Sequence, residues 1–487
     1  MKIRFIEPGN PPYRPALSNH FVYDKYIRTP SNGLNTLATI AKGYVDDTLM
    51  YSESISRILW EDVLDADIVF FSIFTFSANR GYELSDYVRK NSKAVTVIGG
   101  LHATLCPREA ALHCDYVLVG EGDETVVKLI RCVEKGEIPD FAGIVHVDEQ
   151  GDIIDRGRAP LPENIDVIPD RSLCYSFRRM TKYNTIWPQV HASRGCPHGC
   201  SYCSLVAAFG RCVRTRTPDN VLEDIRQAIE FFDKGNHRLS KCLWLTDDNF
   251  FADRKWAMEV LQKIIDSGIK YMFTLQARYE VGFDDEMLEL LKKAGFEELA
   301  MGIEFLEDEA FEINRKNSSY DQILRSVKNI QRHGIRVRGL FIVGADNHTK
   351  GVGDRLADFV IRNDICGVLI QSMYFVPGTP SYEEHKDKLI ENDMGGGTRD
   401  WSRCTGKVVH YPEKLTPYEL QREIITASKR IYSLKRFFQA VFRRRGISRI
   451  LFMGECFWQK SVRKELKKEL HRLRSLPLTV DVYKNAE

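Results

Sequence analysis

The chain has no run of about 18 uninterrupted apolar residues, the length a helix needs to cross a bilayer, so an ordinary transmembrane helix is not expected. It also lacks a dominant charge. The 69 Lys and Arg stand against 67 Asp and Glu, a net of +2, which argues against a generic binder of polyanions. The opening residues, Met1 to Pro8, lack the basic-then-apolar layout of a signal peptide and read instead as a buried first strand. A cytoplasmic protein is the expectation. No internal repeat and no low-complexity tract is visible. Nor are the 12 cysteines spread through a short chain, as a disulfide scaffold would require. What remains is ordinary: 43% hydrophobic and 28% charged residues over 487 positions, enough to build real cores. At roughly 150 residues each, about three domains are expected.

The stretch 1–149 alternates short apolar runs with helical periods. Ile3 to Ile6, Ala66 to Thr75, Ala94 to Ile98 and Tyr116 to Val119 read as strands. Such alternation predicts a doubly wound parallel sheet of Rossmann type, with ligands outside the carboxyl ends of its strands. Gly99-Gly100 and Gly120-Glu121-Gly122 fall at those ends, where bare backbone can approach a large ligand. Residues 150–184 hold several prolines and no clean period, and read as a linker. From 185 to 382 six further βα units predict a partial (β/α)6 barrel of the TIM type. The last stretch, 383–487, reads as mostly helical, with Pro417 to Arg445 as one amphipathic helix. Between Gln421 and Ser475 there are 16 Lys or Arg and 4 Glu, a local +12 in a chain whose total is +2.

Nine cysteines are scattered singly, and three crowd into eight residues, Cys196, Cys200 and Cys203. They lie in Ser193-Arg194-Gly195-Cys196-Pro197-His198-Gly199-Cys200-Ser201-Tyr202-Cys203, directly after an expected strand. A structural zinc site commonly uses two cysteine pairs, and no partner pair is visible downstream. Three thiolates on one loop suit a cubane iron–sulfur cluster that keeps one iron open.

This C-x₃-C-x₂-C loop, with Tyr202 before its third cysteine, resembles the defining loop of the radical S-adenosylmethionine (SAM) superfamily. The resemblance implies a [4Fe-4S] cluster held by Cys196, Cys200 and Cys203, whose open iron is chelated by SAM. One-electron reduction, by an external donor such as flavodoxin or ferredoxin, then releases a 5′-deoxyadenosyl radical that takes hydrogen from an unactivated carbon. Further matches fall in the family's order. Asp247, Asp248 and Asn249 resemble the segment near the cofactor amino group; Gln276 and Arg278 match positions that read its carboxylate or ribose. Glu304, after Gly302-Ile303, and Gly344 match its adenine and ribose neighbours. From the residues alone, an ion pair between Arg278 and Glu304 is an alternative account of those two.

Ser72, Gly99, Gly100, His102, Gly120, Glu121 and Gly122 resemble, in that order, the cobalamin-binding domain found ahead of many radical SAM barrels. The Asp-x-His-x-x-Gly loop that supplies a histidine to cobalt in some such domains is absent, so the lower cobalt ligand is unassigned. His102 reads more readily as a hydrogen-bonding loop residue than as that ligand. With cobalamin, the family resemblance implies radical methylation: the substrate radical attacks methylcobalamin, which a second SAM regenerates. Ring formation or oxidation without methyl transfer, and a retained but altered cobalamin domain, are the alternatives.

Val376-Pro377-Gly378-Thr379-Pro380, the Trp401 region and His410-Tyr411-Pro412 resemble the branch with the hopanoid methylases and the anaerobic protoporphyrin ring cyclase. That branch implies a bulky hydrophobic substrate, a lipid, isoprenoid or tetrapyrrole. Arg443-Arg444-Arg445 ends the C-terminal amphipathic helix, a pattern that suits peripheral contact with an anionic inner-membrane surface. No aromatic-and-basic stacking platform points to nucleic acid. A simple iron–sulfur electron carrier is the rival from another class, and a six-unit barrel is more scaffold than it needs.

Overall fold

A computed structural model of the chain describes residues 1–9, 30–177, 188–233, 241–316, 318–390, 397–443 and 446–476. The first sheet has seven strands: β1 (Lys2–Glu7), β2 (Asp47–Ser52), β3 (Ile68–Ser72), β4 (Val95–Gly99), β5 (Tyr116–Leu118), β6 (Ile144–Val147) and β7 (Ile153–Asp155). Their order is β2-β1-β3-β4-β5-β6-β7. The first five are parallel, while β6 and β7 add an antiparallel edge.

The parallel strands are apolar on both faces because helices cover both. On one side Phe5, Phe70 and Val97 pack with Leu34 and Ala38 of α1 (Asn32–Lys42). On the other, Ile6, Phe71 and Ile98 pack with Tyr82 and Val88 of α2 (Ala78–Asn91). Helix α3 (Thr125–Lys135), also on the first side, stops at Gly136, whose φ of +69° needs glycine. The sheet runs past Glu149: β7 lies inside the stretch read as linker, because its Ile153 and Ile154 alternate too briefly to announce a strand.

The second sheet has six parallel strands in the order β8-β11-β12-β13-β14-β15 (the lower-numbered edge is written first). They are β8 (Gln189–Val190), β11 (Cys242–Leu245), β12 (Met272–Ala277), β13 (Phe296–Glu304), β14 (Arg336–Val343) and β15 (Gly367–Ser372). Two-residue strands β9 (Ser193–Arg194) and β10 (Arg214–Thr215) form a separate antiparallel ladder beyond β8. After the short α4 (Ser204–Phe209), five helices cover the outside: α5 (Pro218–Asp233), α6 (Arg254–Asp266), α7 (Asp285–Ala294), α8 (Tyr320–Arg332) and α9 (Val352–Arg362). Leu243, Phe273, Leu275, Leu299 and Val337 point at those helices and are fully buried. The alternate positions Trp244, Thr274, Gln276, Ala300, Gly302, Leu340 and Leu369 share the opposite, hollow face by strand register.

The C-terminal region is helical, but not as one helix from Pro417. Helix α10 (Pro417–Ile431) begins in a capping box, with Thr416 and Glu419 satisfying each other's backbone N–H groups. It ends where Tyr432 turns its hydroxyl into the barrel edge to accept from Val368 N at 2.9 Å. Helix α11 (Leu434–Arg443) and the long α12 (Gly446–Arg474) follow. Ile431, the last residue of α10, is 1% exposed. Arg444 and Arg445 lie outside the described residues.

Glu455 of α12 reaches the barrel, pairing with Arg338 at 2.7 Å; Arg338 also pairs with Glu298 at 2.7 Å. Ahead of α10, Trp401 docks on the first domain, its indole N–H donating to Glu109 at 2.7 Å. The tail therefore ties both sheets together.

Candidate active site

The cysteine loop is a hairpin pinned at its base. Arg194 pairs with Arg214 and Ser193 with Thr215 across β9 and β10. Gly195 takes φ +95°, and a Cβ there would collide with the Cys212 carbonyl oxygen, so only glycine lets the two strands approach. From the side, Ser381 holds the loop, its N–H donating to Ser201 O at 3.1 Å and its hydroxyl to Ser201 Oγ at 2.9 Å. Cys196, Cys200 and Cys203 are each partly exposed, whereas Cys114, Cys174, Cys242, Cys366 and Cys456 are buried. Nitrogen donors approach two of the three sulfurs: Asn249 Nδ2 lies 3.9 Å from Cys196 Sγ, and Arg278 Nη1 lies 3.9 Å from Cys200 Sγ. Hydrogen bonds to ligating sulfur tune such clusters. Among the described residues no three His, Cys, Asp or Glu converge as a single-ion site. A cubane takes each thiolate on a different iron, so three partly exposed thiols spread along one loop suit it better than zinc.

The carboxylates after β11 hold the hairpin's backbone. Asp247 Oδ1 accepts from Ala192 N at 3.1 Å, from Ser193 N and from Ser193 Oγ at 2.6 Å. Its Oδ2 is buried without a partner, and burial pushes the carboxyl pKa up to about 7. Asp248 accepts from Gly195 N at 2.8 Å. Both were expected beside the cofactor amino group; the bonds seen go to the cysteine hairpin and the residue before it.

Gln276 points into the barrel hollow and is exposed. Arg278 pairs with Glu280 at 2.9 Å, not with Glu304, because Glu280 follows it in the same short turn. Glu304 pairs instead with Lys316 at 3.3 Å. Tyr202 packs edge-on against Phe305 with ring centroids 6.1 Å apart. Gly344 has φ +115° and is gripped from both sides: its N–H donates to His348 Nδ1 at 2.9 Å, and its C=O accepts from His410 Nε2 at 3.0 Å. Burial pushes the His410 pKa down to about 4, so it donates as a neutral ring. Lys316 and His348 were not found from the sequence, and His410 was singled out only within a family resemblance; nothing in their local pattern marks a residue whose partner lies across the fold.

A cavity of about 460 Å³ opens between the two sheets. Ser72, Gly99, Gly100, Gly120, Glu121 and Gly122 line one side; Ser193, Arg194, Gly195 and Asp248 line the other. The strand-end glycines and the cysteine hairpin thus face a shared space, as a large ligand between two cofactor-binding units requires. His102 does not join them. It is fully buried, its Nδ1 lies 3.3 Å from Thr75 Oγ1, and its ring meets Trp401 edge-on at 5.0 Å. Desolvation pushes its pKa down to about 3. It is a packing residue under the tail.

Glu121 is also engaged by protein: Arg194 pairs with it at 2.6 Å and with Asp123 at 2.8 Å, and Arg214 pairs with Glu121 too. This ion cluster locks the cysteine hairpin to the first domain.

Two family models match the chain: the radical SAM superfamily over residues 190–360, and the B12 binding domain over residues 28–130. The chain is 27% identical over 410 residues to the bacteriochlorophyllide d C-12(1)-methyltransferase of Chlorobaculum tepidum, covering 83% of each chain. It is 23% identical to the hopanoid C-2 methylase of Rhodopseudomonas palustris, covering 85% of this chain and 77% of that one. Its fold matches the radical SAM methyltransferase TsrM from Kitasatospora setae, solved with cobalamin and a [4Fe-4S] cluster, at a TM-score of 0.68 and 14% identity, covering 98% of this chain and 100% of that one. A radical SAM domain brings a [4Fe-4S] cluster, SAM and an external electron donor; a B12 domain brings cobalamin. The cysteine hairpin and the cavity fit those groups, and the chain carries a B12-binding domain, residues 28–130, ahead of a radical SAM domain, residues 190–360.

Proposed function

We propose that the enzyme is a C-methyltransferase acting on a bulky hydrophobic substrate of lipid, isoprenoid or tetrapyrrole class. The observation that carries this reading is the cavity that brings the strand-end glycines of the B12 domain against the cysteine hairpin of the barrel. When bound there, the cluster and SAM supply a one-electron cleavage yielding a carbon-centred radical, and cobalamin supplies a methyl group. The chain's own residues do the placing. Cys196, Cys200 and Cys203 hold the cluster, Asp247 and Asp248 fix the loop that presents them, and Arg194 and Arg214 keep the two cofactor sites in register. Toward the carboxyl ends of its strands the hollow face of the barrel carries Leu340, Ile342 and Leu369 beside Trp244 and Gln276, with the Glu298, Arg336 and Arg338 charges nearer the other end. The relatives named for chlorin and hopanoid methylation support the substrate class.

Incubation of reconstituted enzyme with trideuteromethyl-SAM, reductant and separate chlorin, triterpenoid and polar-metabolite fractions tests it. One CD₃ group on a carbon of an apolar product is expected. Label confined to polar products, or 5′-deoxyadenosine with an apolar product lacking label, overturns the methylation reading.

The same reading places the enzyme against an anionic membrane, where such substrates reside. Leu434, Phe438 and Phe442, spaced one helical turn apart on α11, are 77%, 56% and 81% exposed, with Phe457 of α12 at 54%. Between Leu434 and Gly454 there are six Lys or Arg and no Asp or Glu. Exposed aromatics on a basic helix suit the lipid interface, and each basic residue near it contributes about 1 kcal/mol. No described helix is long and apolar enough to cross a membrane. Co-sedimentation with phosphatidylglycerol vesicles but not with phosphatidylcholine ones is expected, and its loss in Phe438→Ser/Phe442→Ser. Unaltered sedimentation of that variant overturns the contact.

A further inference from the structure

Glu304 ends β13 with φ +67°, one of four non-glycine residues with positive φ among those described. The pairing of β13 with β14 slips between Gly302 and Glu304, so the strand bulges at that point. A left-handed backbone at a non-glycine residue costs of order 1–3 kcal/mol and persists only where the surroundings hold it. Two features hold it here. The Glu304 carboxylate folds back over Gly302, where an added Cβ would sit 2.6 Å from Oε1. Beneath it lies Lys316, its side chain 2% exposed, with Nζ donating to Gly302 O at 2.7 Å and reaching Glu304 Oε1 at 3.3 Å.

A lysine this deeply buried is costly unless its charge is used. Burial pushes its pKa down while Glu304 pulls it back up, and the charges of Arg278 and Cys200 also act on it. It sits within electrostatic reach of the cysteine hairpin, whose Ser201 N donates to the carbonyl of Asn314, two residues before it, at 3.2 Å. Arg278, the other cation there, is already matched by Glu280.

We propose that Lys316 is a positioning residue for the SAM-binding end of the barrel. Its ammonium pins the Gly302–Glu304 bulge so that the strand end faces the cofactor, and its charge offsets the negative hairpin, making the cluster easier to reduce. The proposal rests on the radical SAM reading. If that reading fails, wild-type protein binds neither iron nor SAM.

The test uses full-length protein reconstituted anaerobically, with the cluster midpoint potential read by EPR-monitored titration without SAM and SAM affinity read by equilibrium dialysis. Lys316→Met is expected to keep about four irons per chain, to move the potential negative, and to weaken SAM about tenfold, the loss of one charge-assisted contact. Lys316→Arg restores both values toward wild type. Glu304→Gln, which leaves Lys316 in place but removes its counter-charge, moves the potential positive while weakening SAM. A Lys316→Met protein with wild-type potential and SAM affinity overturns the proposal. Should that variant fail to take up iron, wild-type values for both readouts in Glu304→Gln overturn it equally.

Discussion

Replacing Cys196, Cys200 or Cys203 with alanine is expected to abolish both the oxygen-sensitive iron–sulfur absorbance and the formation of 5′-deoxyadenosine from SAM. The reason is geometric. The three thiols are partly exposed on one hairpin, and with three protein ligands there is none to spare. Cys242, fully buried at the start of β11, shares none of this, and Cys242→Ala keeps both signals. Gly195→Ala acts like a cysteine loss without touching a thiol, since its methyl would collide with the Cys212 carbonyl and open the hairpin base. Anaerobic absorbance and deoxyadenosine assays on the five variants check this. Retained cleavage in any of the three cysteine variants contradicts the assignment.

Glu455→Ala is expected to destabilise the barrel by about 3–5 kcal/mol, the usual cost of breaking a buried pair from one side. Glu298, Arg336, Arg338 and Glu455 form a charge-balanced cluster, with side-chain exposures of 12%, 22%, 26% and 7%. Removing Glu455 leaves Arg338 with one carboxylate shared with Arg336. Because Glu455 belongs to α12, the loss also loosens the tail, so denaturant unfolding should show the barrel transition shifted. A change below about 1 kcal/mol, the size of a surface pair, would mean the cluster is solvated in solution.

The two parallel sheets and the cysteine loop were legible in the sequence because each rests on local pattern. Continuous apolar runs such as Val69 to Phe71 mark strands covered on both faces, and Cys196, Cys200 and Cys203 carry their spacing within one loop. Gly100 and Gly120 were legible for the same reason: positive φ at a strand end asks for glycine. Long-range partners were not legible. The Arg278–Glu304 ion pair, an alternative because both end barrel strands, does not form, since a carboxylate two residues on is nearer to Arg278. Glu121 reads as a ligand residue in isolation, and only the folded hairpin supplies the two arginines that occupy it. His102 looks available in a glycine loop, yet Trp401, far along the chain, covers it. The break after Ile431 depends on Tyr432 finding the edge of β15, which no helical period records.

The central claim is that one chain holds a reducible cluster and cobalamin in a common space and uses them to cleave SAM. Anaerobic reconstitution with iron, sulfide and hydroxocobalamin, followed by gel filtration and metal analysis, tests it most directly. About four irons and one cobalt are expected to elute with each chain, and reductant is expected to convert SAM to 5′-deoxyadenosine. Protein that elutes without cobalt, or that carries both groups yet leaves SAM intact under reductant, would contradict it.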